Sequence, residues 1–400
     1  MKVEQIATLM NSVTNEILGK EDVVAEDLHN IVDVGKEILD ATDVDNYVKK
    51  LLDHIGKIVF TNRVYRGSTP SIMMDSWEYG SVLEKVTADM PEAEENDSWK
   101  LTNGQVYEQD KFTAPSVSVK FFNKKVTFDV PISFTEMQVK SSFSSPAQLN
   151  GFLSMITNAI DRSMTVKLDS LVQRTINNMT AITLHESFDE LTDLGTKTSV
   201  RAVNLIKAYK DDTGIVVADI PTALNDGDFL RWCAMYMGLY VDRMGKLSTL
   251  FNIGGKDRFT DKENLHVIML SEFIKHVESV SYANTFHDNF VKLPNAEQVP
   301  YWQGSGKNYS FTDTSTIHVT ANDGETGGTG VEVNVSGIVG VMFDRDALGV
   351  SNLDKRITTH YNAKAEFYNN WYKADAGYFN DFNENFVVFF LAPEPQDVEP

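Results

Sequence analysis

SVSVKFFNKKVTFDVPISF (116–134) and PAQLNGFLSMITNAIDRSMTVKLDSLVQRTINNM (146–179) decide the fold of this chain. The first holds two alternating runs: Val117, Val119 and Phe121, then Val126, Phe128, Val130, Ile132 and Phe134. A period of two is that of a strand with one face covered. The turn Asn123-Lys124-Lys125 separates the runs. In the second stretch the apolar positions, among them Ile156, Ile160, Met164, Leu168 and Leu171, recur every three or four residues. That spacing puts them on one stripe of a helix opened by Pro146. At ~1.5 Å per residue such a helix is roughly 50 Å long, more than an ordinary compact domain needs. It reads as a beam, which suggests a protein that spans and bears load.

Composition bounds what else the chain does. At 400 residues it holds two or three packed units, and 42% hydrophobic with 23% charged residues is a globular balance. No apolar run approaches the length of a membrane span. The start MKVEQIATLMNSV lacks the basic and apolar blocks of a signal peptide, so synthesis in the cytosol is expected. Cys233 is the single cysteine, which excludes an intrachain disulfide framework and a cysteine-based zinc site. A net charge of −21 argues against tight nucleic-acid binding, which needs clustered Lys and Arg. It is compatible with a container that does not trap nucleic acid, and it makes self-association sensitive to salt.

The ends of the chain differ from its middle. Residues 1–50 read as short acidic helices, Ile6–Leu18 and Val24–Leu39, suited to an arm that packs on something else. A stronger stripe follows over 44–60. Residues 61–113 lose helical periodicity and are punctuated by Gly67, Pro70, Gly80, Pro91 and Gly104. A stretch this long with no core of its own is an extension held by a neighbour, or disordered. Trp77, Tyr79, Trp99 and Tyr107 argue against disorder. Its acidic cluster, Asp89, Glu92, Glu94, Glu95 and Asp97, reads as a solvated or partner-facing tip. Residues 181–345 alternate α and β. The pattern predicts a helix over Asp226–Met244, a strand at Leu265–Leu270, a hairpin joining 317–319 to 331–335, and a buried strand at 338–343. Residues 352–392 are aromatic and close on the buried strand Phe386–Leu391, stopped by Pro393. The tail 393–400 is expected to be flexible.

Chemistry is sought and not found. The eight histidines form no HExxH pair, and His266, His276 and His287 are too widely spaced for one helical face. GETGGTG (324–330) lacks the Gly-Lys-Ser/Thr of a phosphate loop and leads into an alternating run, so it reads as a turn. Cys233 lies on an apolar helical stripe and reads as an inert buried thiol. The acidic cluster lacks the ligand pattern of a calcium loop. The aromatic band from Phe367 to Phe382 has few basic residues for stacking bases and suits core or subunit packing. No catalytic residue, cofactor or metal site is expected, and a hydrolase with an unrecognised site has no nucleophile–base set to support it.

The order of parts is more specific than any motif: arm, strand, irregular excursion, alternating strands, very long helix, α/β insert, returning strand. This resembles the major capsid protein of tailed phages, the α+β shell fold of Hong Kong 97 type. VDVGKEIL (32–39), VDNYVKKLLDHIGKIV (44–59), FLSMITNAIDRSMTVKLDSLV (152–172) and YNAKAEFYNNWYKADAGYFNDFNENFVVFF (361–390) resemble capsid proteins of small podophages of Gram-positive bacteria. The resemblance implies an N-terminal arm and lead-in (1–60), an extended loop (61–113), and a peripheral domain (114–180 and 346–392) with its spine helix at 146–179. It implies an axial domain at 181–345. It further implies pentamers and hexamers of this chain closing an icosahedral shell around double-stranded DNA, which is contacted weakly and non-specifically. A portal protein at one vertex and a separate scaffolding protein are the other implied partners, since residues 1–60 read as a mature arm. No immunoglobulin-like module is expected after residue 392, and Lys85 and Lys100 in the loop give no ground for a covalent cross-link. The expected location is the virion, after assembly in the host cytoplasm. An encapsulin-type cellular compartment is the alternative reading of the same fold.

Overall fold

Phe386–Phe390 and Ile338–Asp344 are buried at every position, so each strand needs cover on both faces. The computed structural model describes residues 11, 71–74, 82–91, 93, 95, 98–107, 110, 112, 114–135, 146–188, 190–283, 296–302, 315–321 and 330–395. The two buried strands pair in the middle of a five-stranded sheet. Its strands are β5 (Ala202–Asn204), β6 (Leu265–Leu270), β7 (Ala296–Val299), β10 (Ile338–Asp344) and β13 (Phe386–Phe390), in the order β5-β13-β10-β6-β7. Successive side chains on β13 face opposite ways. Phe389 meets Tyr240 of the helix Gly227–Met244, with ring centroids 5.3 Å apart. Phe390 meets Phe188, just past the end of the long helix, at 6.2 Å. The sheet therefore has a helix on each face.

The second sheet has four strands: β1 (Met73–Met74), β4 (Lys125–Thr135), β11 (Leu348–Asn362) and β12 (Phe367–Asn380), in the order β1-β11-β12-β4. On β12, Tyr368, Asn370, Tyr372, Ala374 and Ala376 are buried and alternate with partly exposed neighbours. The aromatic band is thus a sheet face. The smaller pairs are a hairpin of β8 (Ile317–Ala321) with β9 (Val331–Val335), and a ribbon of β2 (Leu83–Ala88) with β3 (Val117–Phe122).

Five helices complete the described fold: α1 (Pro146–Ser187), α2 (Leu205–Thr213), α3 (Ile220–Asn225), α4 (Gly227–Met244) and α5 (Ser271–Ala283). The beam, α1, is 42 residues long and runs eight residues beyond the expected end at 179. Ile160, Met164, Leu168 and Leu171 are buried, as the stripe requires; the side chain of Ile156 lies outside the described residues. From Ala181 to Leu184 four consecutive residues are buried, so the helix is covered all round over this turn. Thr175, Thr180 and Thr183 are accommodated there by donating their hydroxyls to the carbonyls four residues back, at 2.8–3.0 Å. In α4 the predicted stripe is buried throughout, and the Asp226 carboxylate accepts from Asp228 N at 2.9 Å and Phe229 N at 3.3 Å, capping the helix. Gly337, between β9 and β10, has φ 82°, and a Cβ there would lie 2.1 Å from the Leu391 carbonyl oxygen, so only glycine fits. Among the described residues no helix is long and apolar enough to cross a membrane.

Two features differ from the sequence reading. The runs at 117–121 and 126–134 enter different sheets, β3 with β2 and β4 with β12. The closing strand β13 joins the five-stranded sheet while β11 and β12 join the other, because a strand buried on both faces needs a central position. Apart from Asn11, the expected arm 1–60 lies outside the described residues, as do the turn 322–329 and the end of the tail.

Ile160→Asp and Leu168→Asp each place an unpaired charge in the packed stripe, at a cost of several kcal/mol. Both should abolish soluble folded protein, and wild-type thermal unfolding of the variants would show the stripe to be open. Asp169 on the same helix has its carboxyl pushed up to about 6 by burial. The folded state then holds the proton more tightly than the unfolded chain, so this group costs stability as pH rises from about 4 to 6. Asp169→Asn should remove that decline from a series of melting temperatures across the window.

Candidate assembly interface

The β2–β3 ribbon is inverted relative to a strand pair that belongs to a core. Its register pairs Glu84 with Phe121, Val86 with Val119 and Ala88 with Val117 on one face. Leu83 with Phe122, Lys85 with Lys120 and Thr87 with Ser118 occupy the other. The apolar face is the open one: Val86 is 58% exposed, Val117 55%, Val119 47% and Phe121 63%. The alternation of Val117, Val119 and Phe121 predicts a strand with one face covered, and here the apolar face is the open one. The alternation is real, but the cover does not come from the described residues of the same chain.

The polar face lies on the protein's own body. Lys85 Nζ donates to Asp381 Oδ2 at 2.9 Å, Glu384 Oε1 at 2.6 Å and the Asp346 carbonyl at 3.3 Å. Lys120 Nζ reaches Asp381 Oδ1 at 3.0 Å, and Arg258 Nε reaches Glu384 Oε1 at 3.2 Å. Asp381 is almost fully buried, its side chain 2% exposed. Burial alone would raise its carboxyl, but Lys85 and Lys120 hold it below the ordinary value. Burial likewise pulls Lys85 down, and the two carboxylates more than offset this, leaving it above its ordinary value. Phe122 rests on Phe379 with centroids 5.1 Å apart.

Beyond the ribbon the chain carries large apolar side chains into solvent. Trp99 and Val106 are each 95% exposed, and Phe112 is nearly as open. On the body, Met235 and Leu239 on α4, and Leu247 and Leu250 beyond it, are also exposed. Exposure on this scale marks surfaces made for protein contact.

Of the acidic cluster, Asp89 and Glu95 are described and Glu92, Glu94 and Asp97 are not. Asp89 is tied within its own chain: Oδ1 accepts from Lys256 Nζ at 3.1 Å and Oδ2 from Ser116 Oγ at 2.8 Å. Glu95 is exposed. The residues that seat the ribbon, Lys85, Lys120, Asp381 and Glu384, escaped the sequence reading of the site. Their meeting joins positions about three hundred apart in sequence, and no local pattern announces it. Cys233 is fully buried and its thiol is pushed well up by burial, consistent with an inert core residue. Among the described residues no three His, Cys, Asp or Glu side chains converge on a possible metal site.

Comparison with known proteins gives one family. A model of the Phi29-like phage major capsid protein matches residues 10–390. No curated protein matches the chain. Similar solved structures include a chain of the capsid of Staphylococcus phage Andhra, 12% identical, spanning 81% of this chain and 84% of that one, with TM-score 0.49. A chain of the cyanophage P-SCSP1u capsid is 10% identical over 84% of this chain and 92% of that one, with TM-score 0.45. One from the mature capsid of bacteriophage PhiM1 is 10% identical over 84% and 88%, with TM-score 0.42.

The lysine–carboxylate contacts carry a definite pH dependence. Asp381 is depressed, so its contribution is complete above its unfolded value and is lost as pH falls below about 4. Lys85 is raised, so its contribution is complete below its ordinary 10.5 and is lost only above it. Hydrogen exchange of ribbon amides, corrected for intrinsic rates, should be flat across neutral pH and accelerate in acid. A ribbon that loosens between pH 6 and 8 would contradict this.

Proposed function

Because the chain belongs to the Phi29-like phage major capsid protein family, we propose that its ribbon and loop are the parts by which one copy grips the next. The protein is a structural component of the virion, forming its icosahedral shell, and not an enzyme. The family is a phage family, so the cellular-compartment alternative is not favoured.

The parts take their roles as follows. The excursion from residue 61 through the β2–β3 ribbon to Phe122 is the extended loop. The four-stranded sheet and α1 are the peripheral domain and its spine. The five-stranded sheet with α2 to α5, including β13, is the axial domain. Copies associate into pentamers and hexamers through heterologous contacts that close as rings. Assembly takes place in the host cytoplasm with a separate scaffolding protein and a portal at one vertex, and packaged DNA meets the wall weakly and non-specifically. The observation that carries this reading is the open apolar face of the ribbon, continued by Trp99, Val106 and Phe112. A neighbouring copy supplies the cover, since every chain of a shell presents the same surface to its neighbours.

Light scattering and electron microscopy of the purified protein test it. Capsomers or particles should form with scaffold, or in salt that screens the −21 charge. Single chains under every such condition would refute the reading. Proteases should cut 85–105 readily in free subunits and slowly in shells, and equal rates would remove the case for a loop held by its neighbour. Glu92, Glu94 and Glu95 lie on that loop, and each exposed ion pair is worth at most about 1 kcal/mol, repeated around the shell. Changing all three to Gln should leave the monomer's melting temperature unchanged while altering the salt dependence of assembly.

A further inference from the structure

Two turns carry the chain between its sheets beneath the ribbon: residues 345–347, from β10 to β11, and residues 381–385, from β12 to β13. They are bonded to one another. Asp381 N donates to the Ala347 carbonyl at 2.7 Å, and Asp344 N to the Asn385 carbonyl at 3.0 Å. Strand interiors are held by their ladders, so a change in the angle between the sheets has to be absorbed at element ends such as these. Lys85 lies on both turns at once. Its ammonium has three donors, and they meet the Asp346 carbonyl on the first turn and Asp381 and Glu384 on the second. Lys120, from the other ribbon strand, takes the remaining oxygen of Asp381. The ribbon therefore cannot shift without breaking the Lys85 contacts to both turns, and the turns cannot separate without breaking those contacts and their own backbone bonds.

The roots of the excursion are attached differently. Ile72 accepts from Val350 N at 3.2 Å, β1 pairs with β11, and Ser71 N donates to Glu297 on β7 at 2.8 Å. At its other end β3 leads within two residues into β4. The roots are held by backbone pairing and by Ser71 on Glu297, whereas the ribbon is seated by its lysines together with the Phe122–Phe379 contact, with its other face turned away from the body.

We propose that Lys85 and Lys120 couple the placement of the ribbon to the angle between the two sheets. Seating the ribbon on a neighbouring copy and reorienting the sheets are then one event. This rests on the extended-loop reading above, and it assigns the β10–β11 and β12–β13 turns as the hinge that the loop controls.

Hydrogen exchange with mass spectrometry on free full-length subunits tests it, comparing wild type, Lys85→Met and the charge-retaining Lys85→Arg. In Lys85→Met, ribbon peptides and those covering 344–347 and 381–385 should exchange about tenfold faster, while the interiors of β10 and β13 keep wild-type protection. Lys85→Arg should stay nearer to wild type. Turns that keep wild-type rates, whether or not the ribbon loosens, overturn the coupling. Loss of protection in β10 and β13 in step with the turns also overturns it, since that reports general destabilisation. Electron microscopy of wild-type assemblies separates the two readings. Shells with turns insensitive to Lys85→Met refute the coupling alone, whereas a failure to form shells refutes the loop reading and leaves the exchange result standing.

Discussion

A helix buried along most of its second half ties the two sheets into one body. α1 touches β4, β11 and β12 of the four-stranded sheet and β5 and β13 of the five-stranded one. Leu168, Leu171, Val172, Ile176 and Met179 are all but inaccessible to water. Burying such side chains contributes about 1.5–3 kcal/mol each relative to exposure, so neither sheet can leave the helix without a large loss. Polar side chains brace the joint: Asn380 Nδ2 donates to the Thr175 carbonyl at 2.9 Å, and Arg174 lies over the Tyr378 ring at 5.4 Å.

Electrostatics divides the molecule in a related way. The chain carries a net charge of −21, yet the ribbon's inward face offers two lysines to two carboxylates. A buried carboxylate such as Asp381 is tolerable only with such partners, because desolvation is costly and has to be matched by attraction at short range. The strong acidity elsewhere keeps copies apart until apolar faces meet or salt screens them. A shell protein needs both properties, solubility as a single chain and a surface that waits for its neighbour.

Much of this was legible in the residues. The stripe of α1, the capped helix at Asp226, the strand Leu265–Leu270 and the hairpin around 322–329 follow from periodicity and end signals alone, because those depend on neighbours a few positions away. The end of α1 did not follow, since Thr180 and Thr183 discourage helix by propensity and are satisfied here by bonds to their own backbone. The acidic tip drew attention by charge density, yet Asp89 turned out to be tied to Lys256 of the same chain.

By itself the sequence determined the mixed α and β class, the long helix, the helix at Asp226–Met244 and most of the buried strands. It did so because hydrophobic period and punctuation are local properties of a chain. Only the tertiary structure decided which strands share a sheet, and which face of the ribbon is turned outward. Alternation in Val117–Phe122 says that one face is apolar, but not whether the same chain or another covers it. That answer depends on Lys85 and Lys120 finding Asp381 and Glu384, a meeting of long-range partners whose attraction exists only once the chain has folded.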